Sequence, residues 1–245
     1  EPTTLLVTVD KTATTYTHSG LTNGTEYVYR ISAVDVLGNE SGLTADVTAI
    51  PAAGQSITFD PLDGMIYGDG PLTLVAAASS GLPVVYESSD DAVASVSGNV
   101  LTIHAAGTVN ITATQAGNTA YVAADPMTRT LVIDRKALTI TAADESKTYG
   151  ETLVFDGGAL GTAFTVTGLI NGDAVTEVTL VSAGTVPTAV VDDYDIDVSA
   201  AQGTGLANYD ITYLPGSLSV TKRAVTVGFA SGTVISKVYD GTVAA

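Results

Sequence analysis

One sequence pattern occurs twice in this chain, about 87 residues apart, and it constrains the fold more than any other feature. Residues 131–140 form two short runs of alternating apolar residues that are joined by the basic pair Arg135-Lys136. Residues 218–227 repeat this arrangement around the basic pair Lys222-Arg223. A repeat at a fixed spacing is the signature of a tandem array, so the sequence predicts structural units of about 80–90 residues.

Short runs of alternating apolar and polar residues recur along the whole chain, separated by turn residues at intervals of about 8–12 residues. Apolar residues nowhere keep the 3.6-residue period of a helix over three turns. The pattern predicts an all-β protein made of tandem β-sandwich modules. Because the repeat junctions contain no Gly/Ser-rich linker, a strand that leaves one module continues almost directly into the next, and we expect an extended array.

Composition disfavours several classes of function. The 26 acidic and 9 basic residues give a net charge of −17, which argues against binding to nucleic acid or to anionic membranes. The absence of cysteine excludes disulfides, thiol catalysis and cysteine metal sites. No apolar run approaches the ~20 residues of a membrane span, and no signal peptide is recognisable. Since residue 1 is not methionine, we expect a fragment of a longer protein.

Residues 1–51 carry the first recognisable module pattern. Leu21, Gly24 and Tyr27 lie in the stretch at residues 20–35, which resembles the C-terminal part of a fibronectin type III domain. The resemblance implies that these three residues form a tyrosine corner, in which the tyrosine hydroxyl hydrogen-bonds to a nearby backbone group. It also implies that Tyr29 continues the inward face of the strand that follows. The resemblance implies that the strands covering its apolar face are missing, so we expect this face to be exposed and its amides to be poorly protected.

Residues 52–135 are the second predicted module, and a short linker at residues 51–54 joins it to the first. The stretches at residues 66–69, 80–99 and 106–118 resemble those of a bacterial immunoglobulin-like domain. Alternation along residues 101–114 predicts that the aliphatic side chains of two neighbouring strands share one face, with polar side chains on the other. The module is therefore predicted to be a β-sandwich.

Residues 136–222 are the third predicted module. The stretches at residues 146–151, 168–173 and 208–213 resemble the MBG domains of bacterial surface proteins. The resemblance implies a mostly β, β-grasp-like module with a short helix near residues 171–175. Residues 223–245 resemble the start of a related YDG-type domain.

The acidic cluster at residues 192–198 is the one candidate metal site. On a strand, Asp193, Asp195 and Asp197 share one face at intervals of about 6.5–7 Å, while the apolar residues between them face the core. A bound calcium ion would relieve the repulsion between these carboxylates, since calcium prefers several oxygen ligands. The alternative is a solvated strand face without an ion, because the cluster lacks the D-x-D-x-D-G order of a dedicated calcium loop.

No arrangement of residues indicates catalysis. The two histidines, His18 and His104, fall in different modules, and both are predicted to be surface residues. The sequence contains neither an HExxH motif nor a nucleophile elbow. We expect a non-catalytic protein with no cofactor other than the candidate calcium ion.

The four resemblances together imply a mosaic protein of the bacterial cell surface. We expect an extracellular stalk segment of a large secreted adhesin that holds a distal binding head away from the cell. Its partners would be neighbouring modules of the same chain, with a glycan or protein bound through other parts of the parent. Two alternatives stay open. One module recognises a glycan or mucin-type surface, although the chain has no Trp, or the modules are spacers in a secreted polysaccharide-degrading enzyme.

Overall fold

The computed structural model describes residues 4–156 and 162–226, and the chain divides into two compact units, Glu1–Lys136 and Ala137–Ala245. Strands dominate the described residues, in which the helical elements are two three-residue 3-10 turns, so the all-β prediction is confirmed. Within these ranges no helix has the length and apolarity of a membrane span. Residues 236–242, which carry most of the YDG-like pattern, lie outside the described residues.

The first unit has eleven strands among its described residues: β1 (Tyr27–Tyr29), β2 (Val47–Ala49), β3 (Ile57–Phe59), β4 (Met65–Ile66), β5 (Leu72–Thr73), β6 (Ala76–Ala78), β7 (Val85–Ser88), β8 (Ala94–Ser97), β9 (Val100–Ile103), β10 (Gly107–Thr114) and β11 (Met127–Asp134). Strands β1 and β2 pair antiparallel as a two-stranded sheet. None of the described residues up to position 51 is buried. A two-stranded sheet without a second layer cannot bury its apolar face, which accounts for the exposure of residues such as Ile31.

The strands from β3 to β11 form a sandwich around one core. Its sheets have the orders β4-β11-β10-β7, β3-β6 and β5-β9-β8. Leu101, Ile111 and Leu131 are fully buried between them. The predicted alternation is confirmed, since Val109, Ile111 and Ala113 point into the core while Asn110 is exposed. Strand β4 runs parallel to the closing strand β11, and this pairing recurs in the second unit.

The described part of the second unit contains seven strands and the two 3-10 turns: β12 (Lys136–Ala142), β13 (Glu145–Thr148), β14 (Phe164–Thr167), β15 (Ala174–Val181), a turn at Ala183–Thr185, β16 (Asp193–Thr204), a turn at Leu206–Asn208, β17 (Tyr209–Leu214) and β18 (Gly216–Thr221). Two sheets, in the orders β14-β12-β17 and β13-β18-β16-β15, supply the core. Leu138, Phe164, Ile196 and Leu218 are fully buried there.

The short helix implied near residues 171–175 is absent from that position. Asn171 and Gly172 have φ angles of 56° and 80°, and the Asp173 amide donates a 2.9 Å hydrogen bond to the carbonyl of Ile170. This is a tight turn, because Asn-Gly favours two successive positive φ angles. The chain then enters β15, whose β-branched residues favour a strand.

Candidate functional site

The linker that precedes the sandwich is fixed by backbone hydrogen bonds. Ala53 forms an isolated parallel bridge to the loop at residues 117–123. Its amide donates to the carbonyl of Ala120 at 2.8 Å, and its own carbonyl accepts from the amide of Val122 at 2.9 Å. The linker predicted at residues 51–54 is therefore paired with the sandwich along one side.

The tyrosine corner lies beside this linker. The hydroxyl of Tyr27 accepts a 2.9 Å hydrogen bond from the amide of Thr22, which confirms the role predicted for it. Gly24, at φ 79°, donates its amide to the carbonyl of Pro51 at 2.8 Å. A Cβ atom at this glycine would lie 3.2 Å from the Cβ of Ala120. The corner, the linker and the loop thus meet at Gly24, where a side chain would make a tight contact with Ala120.

Polar side chains of the sandwich hold the loop that receives the linker. Gln115 is buried, and its Oε1 accepts from the amide of Gly117 and, at 2.6 Å, from Nε2 of Gln55. The same Nε2 also donates to the carbonyl of Val122 at 2.7 Å. Ser80 donates its hydroxyl to Oε1 of Gln55. The sequence did not lead us to predict this network. A signal for it was Gln115, which is a polar residue at the next inward-facing position after Ala113.

A tight turn with the sequence Tyr67-Gly68-Asp69 binds the last residue of the strand that closes the sandwich. The amide of Tyr67 donates to the carbonyl of Asp134, the last residue of β11, at 2.9 Å. The turn is closed by the Asp69 amide, which donates to the carbonyl of Ile66 at 2.9 Å, and by Oδ2 of Asp69, which accepts from the Ile66 amide at 2.8 Å. Gly68 adopts φ 95° between them.

The second unit contains the same turn in the same place. The amide of Tyr149 donates to the carbonyl of Thr221, the last residue of β18, at 2.9 Å. The Glu151 amide donates to the carbonyl of Thr148 at 3.1 Å, and Oε2 of Glu151 accepts from the Thr148 amide at 3.0 Å. Gly150 has φ 91°. We call these two elements the exit turns, because each bonds to the last residue of a closing strand.

The exit turns explain the repeated pattern of the sequence. Each closing strand ends where its exit turn binds it, and the basic pair follows directly at residues 135–136 and 222–223. A Cβ atom at Gly150 would lie 3.2 Å from a guanidinium nitrogen of Arg223. The basic pairs therefore lie directly after the closing strands β11 and β18.

The acidic strand has the predicted alternation. Asp193, Asp195 and Asp197 are exposed along β16, whereas Ile196 and Val198 are buried. Asp193 accepts a hydrogen bond from the hydroxyl of Ser219. Across residues 4–156 and 162–226, no group of three His, Asp or Glu side chains is placed to hold a metal ion. Calcium binding at the three aspartates stays a prediction.

The two histidines differ in their surroundings. His104 is exposed, as predicted, and its Nε2 lies 2.7 Å from the hydroxyl of Ser95. His18 is half-buried rather than a free surface residue. Its Nδ1 lies 2.9 Å from the hydroxyl of Tyr29, and its ring contacts those of Tyr16 and Tyr27 at centroid distances of 6.5 and 6.2 Å.

Comparison with known proteins gives a family match within the third predicted module. Residues 138–219 match the family described as the MBG domain (YGX type). This confirms the MBG resemblance, while the fibronectin and immunoglobulin-like resemblances stay predictions. MBG domains are typical of extracellular surface proteins.

Short stretches also match curated bacterial proteins. An amylopullulanase of Thermoanaerobacterium thermosulfurigenes is 56% identical over 41 residues, or 17% of this chain and 2% of that protein. An amylopullulanase of Thermoanaerobacterium saccharolyticum is 56% identical over 41 residues, which cover 17% of this chain and 3% of that protein. An alpha-amylase of Niallia circulans is 48% identical over 46 residues, which cover 19% of this chain and 4% of that protein. The chain thus spans only 2 to 4% of the length of these relatives.

Proposed function

We propose that this chain is a non-catalytic stalk segment of a large secreted bacterial surface protein, an adhesin whose binding head lies elsewhere in the parent chain. The proposal is supported by the match of residues 138–219 to the MBG domain, which is found in surface proteins. The observation that carries it is the linker at residues 51–54. Backbone hydrogen bonds hold this linker to the tyrosine corner before it and to the loop of the sandwich after it.

A stalk must keep its modules from folding back on one another. Separating the linker from the sandwich breaks the two bonds of Ala53, and each contributes about 0.5–1.5 kcal/mol net. The bond from Gly24 to Pro51 holds the other end of the linker to the tyrosine corner. Farther along the chain, Arg135 is the one residue between the end of β11 and the start of β12. Neither connection resembles a flexible Gly/Ser-rich tether.

Small-angle X-ray scattering on the full chain tests the proposal. We expect an elongated profile. We call the contact of the tyrosine corner, the linker and the loop at residues 117–123 the joint. The variant Gly24→Leu should broaden the distribution of interatomic distances, because its side chain pushes against Ala120 and opens this joint. The control Gly20→Leu has the same type of backbone strain, at φ 75° against 79°, but no atom lies within 4 Å of its Cβ position. A compact wild-type profile, or equal effects of the two variants, would overturn the proposal.

A second candidate function follows from the curated relatives. Proteins named amylopullulanase and alpha-amylase share short stretches with this chain, which favours spacer modules within a secreted polysaccharide-degrading enzyme. The joint would then separate a catalytic domain from its neighbours, and this chain would again have no catalytic role. Sequencing the parent gene separates the two functions. Many further repeats with a surface anchor support the adhesin, and an adjoining catalytic domain supports the enzyme.

A further inference from the structure

We propose that strands β13 and β18 form a load-bearing clamp that makes the MBG module resist unfolding when the chain is pulled at its two ends. The inference rests on the proposed stalk function, because a stalk carries tension between two separated points. It concerns the order and direction of strands in the second unit and does not depend on the ligand of the parent protein.

The direction of the two strands determines how tension loads them. Strand β13 lies near the start of the unit and β18 closes it, and they pair parallel from Glu145↔Leu218 to Thr148↔Thr221. Tension pulls β13 toward its amino end and β18 toward its carboxyl end, which are opposite directions along one axis. All hydrogen bonds of the ladder are therefore strained together. In an antiparallel pair of end strands they would break one after another.

Tension reaches β13 through a short path. Only Ala143 and Asp144 separate it from β12, the first strand of the unit. Asp144 adds a bond to the clamp, since its Oδ1 accepts from the amide of Ser217 at 2.8 Å. A Cβ atom at Gly216 would lie 2.6 Å from the carbonyl oxygen of Ala143, so the segment before β13 and the start of β18 approach closely here. Tension on the amino end of the unit therefore acts first on β12, which lies between β14 and β17, and passes to β13 through Ala143 and Asp144.

The closing strand is held on both sides. Strand β18 lies between β13 and β16, and it pairs antiparallel with β16 from Asp193↔Ser219 to Ile196↔Gly216. The Val220 amide donates a further bond to the carbonyl of Asp192 at 2.9 Å. Drawing β18 out of the module along its axis must break both ladders.

A buried lysine ties β13 to the body of the module. Lys147 is 6% exposed, and its ammonium group donates to the carbonyl of Glu151 at 2.8 Å and to that of Val186. A buried ammonium group needs such acceptors, because it has lost its water. The Gly150 amide adds a 3.1 Å bond to the carbonyl of Pro187. Strand β13 can therefore hold β18 without being dragged out with it.

The sandwich of the first unit contains a shorter version of this arrangement. Strands β4 and β11 pair parallel over Ile133↔Met65 and Asp134↔Ile66, against four such pairs in the MBG module. The exit turn adds the bond from Tyr67 to Asp134. We therefore expect the sandwich to unfold at a lower force than the MBG module.

Single-molecule force spectroscopy on the full chain, held at its two ends, tests the clamp. Two main unfolding events are expected, and a double variant identifies the MBG event. The chain has no cysteine, so Ser146→Cys with Ser219→Cys, at paired positions, places one disulfide across the clamp. In its oxidised form the length released by the MBG event shortens by about 250 Å, since 73 residues are bypassed. The event that the disulfide shortens should be the one that occurs at the higher force in the reduced form.

A variant and a matched control then test the mechanism. Lys147→Met removes the ammonium group and retains the apolar stem, and it should lower the unfolding force of the MBG event. Val175→Ala creates a cavity in β15, which pairs with β16 and not with β18, so it should reduce equilibrium stability and leave the force nearly unchanged. If Lys147→Met does not fold, Thr221→Val serves instead, because it removes the 3.1 Å bond from the Thr221 hydroxyl to the Lys147 carbonyl.

Three results would overturn the clamp: an MBG event at the lower force, an unchanged force in the clamp variant, or equal force losses in clamp and control variants of equal stability. These results are separate from the scattering test. An elongated chain with a weak MBG module refutes the clamp alone. A compact chain with a strong MBG module refutes the stalk alone.

Discussion

Replacing Gly117 by alanine should damage the loop that receives the linker. Gly117 has φ 78°, and a Cβ atom there would lie 2.4 Å from the carbonyl oxygen of Tyr121 and 2.7 Å from the carbonyl carbon of Val122. Cβ atoms do not approach backbone atoms so closely, so the loop must move. The movement breaks the bond from the Gly117 amide to Gln115 and strains the bridge to Ala53.

The magnitude follows from two contributions. A left-handed conformation costs alanine about 1–2 kcal/mol relative to glycine. Loss of two or three hydrogen bonds adds about 0.5–1.5 kcal/mol each. We expect Gly117→Ala to lower the free energy of unfolding of the sandwich by about 2–6.5 kcal/mol.

Gly81→Ala is the matched control for this prediction. Gly81 has φ 77°, and no atom lies within 4 Å of its Cβ position, so alanine there has the backbone cost alone. Urea unfolding of both variants measures the difference, and hydrogen exchange at the Ala53 amide reports on the bridge. The Ala53 amide should exchange faster in Gly117→Ala only. Equal destabilisation by the two variants, with an unchanged Ala53 amide, would refute the role given to this loop.

Three further predictions concern other parts of the chain. Amides of residues 4–51, none of which is buried, should exchange far faster than those of the sandwich, and equal protection would contradict this. Hydrogen bonds from the Asn39 side chain and backbone hold the pKa of Asp35 below its usual 3.8, so the turn is stabilised above that pH and loses this stabilisation as the pH falls through the lowered pKa. A chemical-shift titration of Asp35 checks the direction, and Asp35→Asn should abolish the acid transition of the turn. Calcium titration should shift the NMR signals of Asp193, Asp195 and Asp197 more than magnesium titration does, and unchanged signals would contradict the predicted calcium site.

Local patterns predicted the strands and their buried faces. The alternation in β10 and β16 places apolar side chains in the core, and the fibronectin resemblance from Leu21 to Tyr27 predicts the tyrosine corner. These features depend on neighbours within a few residues, which is the range over which periodicity and turn chemistry act. The helix at residues 171–175 was implied by the resemblance and not by the local sequence, and this prediction was wrong. The Asn171-Gly172 pair itself favours a tight turn.

Long-range pairing was beyond the reach of such patterns. The exit turns contain the sequences Tyr67-Gly68-Asp69 and Tyr149-Gly150-Glu151, but the sequence did not predict their bonds to Asp134 and Thr221, which join segments that lie far apart in the chain. His18 was predicted to lie at the surface, but its ring packs against two tyrosines of the later strand β1. Lys147 is buried because carbonyls of two separate segments surround its ammonium group. In each case the deciding partner is absent from the local sequence.

The joint at Ala53 has a consequence for how such proteins evolve. Its hydrogen bonds join the backbone atoms of Gly24, Pro51, Ala53, Ala120 and Val122, and none of them requires a particular side chain as donor or acceptor. A recombination event that brings a different module in front of the sandwich therefore leaves the Ala120 carbonyl and the Val122 amide in place. The incoming sequence has to supply a glycine at its corner and a short linker. Gene segments that encode whole modules can thus be reshuffled without a new complementary surface arising at each boundary.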